Sequence, residues 1–280
     1  MKIKLGFSTC PNDTFMFDAL VHGKIDTGDI QYEVVLADIF HLNQMASRGE
    51  LDMVKISYNT YGQVIGNYQL LDAGSALGNN CGPLLISRHP LSVDEIIKEN
   101  LVVGIPGKNT TANLLLGYYA PKIENKREMI FHEIMPALLN GEIDAGLIIH
   151  ENRFTYQDLG LLLIQDLGEY WEQKTGLPIP LGAIVAKKSL GEDTIRNLQT
   201  HMRKSVQYAF RHPEASSDYV REYAQEMDPK VMQAHINLYV NDYSLTLGDK
   251  GMKAVREVLA AGEKMGIFPE QTHTYATIFH

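Results

Sequence analysis

Apolar positions in the first two thirds of the chain switch repeatedly between two rhythms. Short runs at residues 3–8, 31–37, 53–57, 84–87, 102–105, 145–149 and 181–186 have the length and period of strands. Between them, at about 14–23, 38–49, 59–65, 111–119 and 134–139, apolar residues recur at the three- and four-residue spacing of a helix face. This alternation predicts an α/β fold with mainly parallel sheets. From residue 189 the pattern becomes nearly continuous helix. Ile195, Leu198, Met202 and Val206 recur at helical spacing, as do Met252, Val255 and Leu259. HPEAS (212–216), MDP (227–229) and LGDKG (247–251) punctuate this last third as turns. Two βαβ blocks, about 1–88 and 98–186, and a helical return suit two lobes with a ligand cleft between them. We place lobe 1 at 1–90 plus 188–280 and lobe 2 at 91–187.

Composition narrows the classes of function. The chain has 280 residues, enough to bury a sizeable core, and its 45% hydrophobic and 21% charged residues are ordinary for a globular protein. A net charge of −9 without a basic run argues against a nucleic-acid partner. An anionic small ligand then requires a locally positive pocket. The N-terminal MKIKLGFSTCPND lacks the apolar run of about 7–15 residues of a signal peptide, and no stretch approaches the ~18 apolar residues of a membrane span. No membrane partner is expected, and the protein reads as cytoplasmic. Cys10 and Cys81 are too few and too far apart for a disulfide framework or a CxxC metal site.

Ligands of open α/β sheets sit beyond the carboxyl ends of strands, so the junctions from strand to helix carry the candidate chemistry. Four stand out. The first is the polar knot Ser8–Thr14 inside GFSTCPNDTFMFDAL (6–20), which caps a helix, contacts a ligand, or does both; Asn12 and Thr14 are its ligand candidates. In DMVKISYNTYG (52–62), period two puts Met53, Lys55 and Ser57 on one side of a strand, with Lys55 and Ser57 at its end. A lysine snorkelling to the surface beside a capping serine would look the same. In VVGIPGKNTTANLLL (102–116), Gly104 and Gly107 allow close backbone approach, and Thr110 and Thr111 open a helix whose free N–H groups favour an anion. An ordinary tight turn with a threonine cap is the plainer alternative. The fourth is GEIDAGLIIHENRFTY (141–156), where a strand runs straight into His150. Its reference pKa near 6.5 suits a proton acceptor at neutral pH. Glu151 or Asn152 is a candidate to orient it, although a solvated Glu151 is the simpler expectation.

Several motifs fail on spacing. FHEIMP (131–136) has Pro136 where HExxH needs its second histidine, GSALG (74–78) is not GxSxG, and the 104–108 loop is too short for a P-loop. No GxGxxG follows a strand, so a dinucleotide is not expected. No cofactor and no metal are expected.

With these junctions in view the chain resembles the family of 1,4-dihydroxy-6-naphthoate synthases of the futalosine route to menaquinone. STCPNDTFMFDAL and GLIIHENRFTY are similar to signatures of that family, and KISYNTYG and GKNTTANLLL are similar to regions lining its pocket. The resemblance implies a type II periplasmic-binding-protein-like fold, two α/β lobes closing on a ligand, used here for catalysis. It implies a carboxylated polycyclic substrate, cyclic dehypoxanthinyl futalosine, and a cofactor-independent lyase. By the same resemblance His150 is the proton acceptor, while Lys55, Ile56, Ser57, Thr110 and Thr111 contact substrate. The alternatives are a chorismate dehydratase of the same route and a solute-binding protein.

Overall fold

The computed structural model describes residues 1–224 and 228–268. The strands are, in chain order, β1 (Lys2–Phe7), β2 (Gln31–Leu36), β3 (Met53–Ser57), β4 (Tyr68–Leu70), β5 (Ala76–Gly78), β6 (Leu84–Ser87), β7 (Val103–Ile105), β8 (Lys126–Glu128), β9 (Ala145–Ile148), β10 (Leu162–Asp166) and β11 (Ile179–Lys187). The seven predicted strands lie at or within two residues of these bounds. The four unpredicted ones are three to five residues long: β4, β5 and β8 are too short to show a period, and the apolar start of β10 (162–164) is not among the predicted runs.

They form two sheets. One has the order β2-β1-β3-β11-β4, with β5 also on β11; the other has the order β10-β6-β9-β7-β8. The sheets are mixed rather than mainly parallel. Four pairings run parallel (β1 with β2 and β3, β7 with β8 and β9), whereas every pairing of β6, β10 and β11 present is antiparallel. In the first sheet the long β11 is the cause, entering between β3 and β4 against their direction, and in the second β6 runs against both β9 and β10.

Strand membership also moves the crossings between the lobes. β6 lies in the second sheet and β11 in the first, so the chain crosses at 79–83 and 167–178, not at 90/91 and 187/188. The two crossings touch. Leu167 N–H donates to the Pro83 carbonyl at 3.0 Å, and a Cβ built on Gly82 would lie 2.3 Å from backbone atoms of Gly168. Arg153 binds both segments, donating to the Gly82 carbonyl and the Asp166 carboxylate, each at 2.6 Å. Backbone cannot step aside as a flexible side chain can. Gly82→Ala should therefore lower stability by at least the ~1–3 kcal/mol of core overpacking, read as a fall in the urea midpoint; an unchanged midpoint would refute this close approach.

The helical last third covers the first sheet. Ile195, Leu198, Met202 and Val206 of helix Glu192–Arg211 are buried against Phe15, Met16 and Leu20 of helix Pro11–Val21, as their spacing predicts. Ser205 ties the two helices by donating to the Met16 carbonyl (2.6 Å) and accepting from Leu20 N–H (3.1 Å). This packing fixes the opening knot against the sheet. HPEAS contains a short 3-10 turn (Pro213–Ser216), whereas LGDKG begins helix Gly248–Lys264 instead of merely turning. Asp228 and Pro229 start helix Pro229–Tyr239, with the Asp228 carboxylate accepting from Lys230 N–H at 2.7 Å. Met227 of MDP, and 269–280 of the segment assigned to lobe 1, lie outside the described residues.

Candidate active site

A cleft opens where the carboxyl ends of β1, β3 and β9 face helix Thr111–Tyr119. Of the eight residues read as proton acceptor or substrate contacts, Asn12, Lys55, Ser57, Thr110, Thr111 and His150 line it. Two do not. Ile56 points to the opposite face of β3, into the hydrophobic core, because alternate residues of a strand face opposite ways. Thr14 is fully buried, with its hydroxyl bonded back to the Cys10 and Pro11 carbonyls at 3.2 and 3.3 Å.

The opening knot is organised around Asp13, which sequence reasoning passed over. Its carboxylate accepts from Ser8 N–H (3.2 Å), Ser8 Oγ (2.7 Å), Asn12 Nδ2 (2.9 Å) and Lys55 Nζ (2.6 Å). Lys55 does not snorkel: it is 4% exposed, and its stem passes over Gly182, where a Cβ would lie 2.7 Å from Lys55 Cε. The helix begins at Pro11 without a side-chain cap, since Asp13 is turned toward Ser8 and Lys55. Ser57 is held by Asn43, which accepts from its N–H (2.9 Å) and donates to its Oγ (3.0 Å), leaving the Ser57 O–H free to donate.

Because Lys55 is neutralised by Asp13, the cavity's positive character rests mainly on backbone. Thr110 caps helix Thr111–Tyr119, its Oγ1 accepting from Asn113 N–H at 3.2 Å and donating to the Gly107 carbonyl at 2.7 Å. Thr111 Oγ1 donates to the Leu181 carbonyl (2.7 Å) and accepts from Tyr58 N–H (3.0 Å). Both hydroxyls are engaged in architecture. What faces the cavity for an anion is the first N–H groups of the helix, which have no intrahelical acceptor, and the positive end of its dipole.

His150 follows β9 at the wall of the second lobe, with φ of +58°, a left-handed conformation uncommon outside glycine. Such backbone persists where its surroundings hold it. The three polar residues after it do the holding. Glu151 is 4% exposed, not solvated, with Oε2 3.4 Å from His235 Nδ1. Asn152 Nδ2 donates to the Phe131 carbonyl (3.2 Å), and the Phe131 ring stands edge-on to His150 with centroids 4.9 Å apart. Arg153 staples the crossings, as described above. His235, from helix Pro229–Tyr239, stacks behind His150 at 5.9 Å and 18°, and its Nε2 lies 3.1 Å from Asn12 Oδ1. It is fully buried and gave no signal at a junction. Its buried helix neighbours Met232, Ile236 and Tyr239 mark it only as a polar residue on an apolar face.

Burial lowers the His150 pKa to about 4; Glu151 pulls it upward, His235 opposes that, and Asp13 and Lys55 act in opposite senses. The imidazole is therefore neutral at pH 7 and open to the cavity on one side, the state a proton acceptor needs. Burial also pushes the Cys10 thiol well above its ordinary value. Cys10, His150 and Glu151 bring one ligand-type atom each within 4.8 Å of one another, the one such group among the described residues. A metal there would have to deprotonate that thiol. No helix among the described residues is long and apolar enough to cross a membrane.

A family model described as menaquinone biosynthesis matches residues 3–264. The chain is 46% identical over 265 residues to a 1,4-dihydroxy-6-naphthoate synthase of Thermus thermophilus, covering 95% of each chain. It is also 46% identical over 272 residues to one of Streptomyces coelicolor, again covering 95% of each. Among solved structures, the alkanesulfonate-binding protein of Xanthomonas axonopodis superposes with a TM-score of 0.72 at 11% identity, over 98% of this chain and 96% of that one. At that identity the likeness is one of fold. The architecture is the two-lobed, periplasmic-binding-protein-like α/β fold expected from the sequence.

Proposed function

The chain belongs to the menaquinone biosynthesis family and is an enzyme, and on that premise we propose that it converts cyclic dehypoxanthinyl futalosine to 1,4-dihydroxy-6-naphthoate. The reaction is of the lyase class, begun by His150 taking a proton from carbon and completed by carbon–carbon cleavage. The observation that carries this reading is the placement of a neutral, strained, strand-end His150 against a cavity that also presents Ser57, Lys55 and a capped helix N-terminus. The helix N-terminus at Thr110–Thr111 receives the anionic or hydroxyl end of the substrate, Ser57 donates to an oxygen, and Asn12 completes the wall. Ile56 and Thr14 contribute shape and anchoring and do not contact substrate. Aromatisation of the product supplies driving force, and enclosure in the cleft supplies positioning. The substrate is a small carboxylated polycycle, and the enzyme works in the cytoplasm.

Incubating the protein with that substrate should yield the naphthoate, detected by fluorescence and by mass spectrometry; an unchanged substrate would overturn the assignment. The pH profile tests the base separately. With the His150 pKa near 4, below the 6.5 of a free imidazole, the acid limb of kcat/KM should fall near pH 4. Activity should stay flat between about pH 5.5 and 7.5. Stability obeys the matching sign. Between about 6.5 and about 4 the unfolded chain binds the extra proton, so stability declines as pH falls through that window. An acid limb at 6.5 would contradict a desolvated base.

A further inference from the structure

Behind His150 lies a carboxylate that the reaction as described leaves unused. Glu151 is 4% exposed, and neither of its oxygens has a hydrogen-bond donor among the described residues. Its nearest polar neighbours are His235 Nδ1 at 3.4 Å and, within 4.8 Å, a ring nitrogen of His150 and the Cys10 sulfur. An ionised carboxylate in such a place is costly unless a cation stands against it. Burial would raise its pKa, but His235 and His150 outweigh burial and hold it below the usual carboxylate range. His235 is enclosed completely, with its other nitrogen engaged by Asn12.

We propose that Glu151 is a positioning residue whose carboxylate, enclosed beside His235, is the counter-charge for the imidazolium that forms when His150 takes the substrate proton. The inference rests on the reading of His150 as the acceptor. In that step the C–H bond breaks, its electron pair stays with the substrate carbon, and the proton goes to a His150 ring nitrogen. His150 passes from neutral to positive, so the His150–Glu151 pair passes from one negative charge to none. The other groups facing His150 are His235, Cys10, Asp13 and Lys55. Asp13 and Lys55 cancel by pairing with each other, and Cys10 is held as a thiol. Glu151 is thus the negative charge adjacent to His150 that favours the transfer, and it acts in a site where burial makes such an interaction strong. Its place next in sequence to His150 couples the two, and His235, from the helical return, closes over the carboxylate with Nδ1 3.4 Å from Oε2.

The test compares Glu151→Gln, Glu151→Asp and His150→Asn with wild type. It uses single-turnover rates across pH and a histidine NMR titration of the substrate-free protein. Glu151→Gln keeps the shape and removes the charge. It should slow the single-turnover rate roughly 10- to 100-fold with little change in KM, and should move both the acid limb and the His150 titration midpoint to lower pH. Glu151→Asp should recover part of the rate and of the midpoint. A Glu151→Gln protein with wild-type rate and an unmoved His150 midpoint would reduce Glu151 to packing and overturn the inference. An active His150→Asn protein would overturn the proton-acceptor reading itself and the inference with it. The two failures are therefore distinguishable.

Discussion

Replacing His150 by Asn is expected to cost at least a hundredfold in the single-turnover rate while leaving the protein folded and able to bind substrate. A well-placed general base contributes roughly 10²–10⁴ in rate, and among the described residues no second basic side chain with its nitrogen free lines this cavity: Lys55 Nζ is bound to Asp13 at 2.6 Å, and His235 lies behind His150, away from the lining. Asn is the informative substitution because it tolerates the left-handed backbone that position 150 adopts at φ +58°. Alanine would confound the lost base with added strain. Thermal unfolding within a few degrees of wild type separates the two effects. Binding should survive because Ser57, Asn12 and the Thr111–Tyr119 helix end remain. Measuring chemistry in a single turnover matters, since slow lobe opening would otherwise mask the loss in kcat. A variant within tenfold of wild type would show that His150 only shapes the cavity.

How much of this was legible beforehand depends on the distance over which the contacts act. The signal that singles out His150 is local, an apolar strand ending in a histidine, and the structure puts that residue in the cavity wall. The signal at Thr110 is equally local, and the structure has it capping helix Thr111–Tyr119, the plainer of the two readings. The Ile56 side chain lies off the cavity for a physical reason. A family motif is contiguous in sequence, but a strand's period of two turns its middle residue to the other face. Thr14 failed because a threonine in the first turn of a helix can bond its own carbonyls as readily as a ligand. Glu151 was expected in solvent, and it is instead buried with His235 Nδ1 3.4 Å from its carboxylate. That contact, like the one between Asn12 and His235 across 223 residues of sequence, has no local trace. Helix Pro229–Tyr239 reads as an ordinary amphipathic segment of the return. The expected positive pocket also changed character: its lysine is spent on Asp13, and the remaining anion affinity comes from helix geometry. The chemical identity of the substrate came from the family resemblance and not from the cavity, whose shape and donors fit a class of ligand.

Asp13→Ala is expected to be the most destabilising single change at the site, at about 3–5 kcal/mol, the cost of stripping a buried ion pair of one partner. That is a large part of the ~5–15 kcal/mol by which a domain is stable. The asymmetry of the pair makes the prediction specific. Asp13 has four donors, of which three (Ser8 N–H, Ser8 Oγ and Asn12 Nδ2) survive the loss of the lysine, and it sits in the first turn of a helix, where negative charge is favoured. Lys55 Nζ has Asp13 as its acceptor and is otherwise enclosed between β3 and Gly182. Losing Asp13 therefore leaves a buried ammonium that must stay uncompensated or give up its proton, whereas Lys55→Met leaves a carboxylate still well solvated by protein. Urea denaturation should rank the proteins in the order wild type, Lys55→Met, the Asp13→Ala/Lys55→Met double variant, Asp13→Ala, because removing the stranded charge restores part of what the first substitution costs. Equal losses for the two single variants, or a double variant no better than Asp13→Ala, would mean that the pair is solvated and that the knot is held by the Ser8 and Asn12 contacts alone.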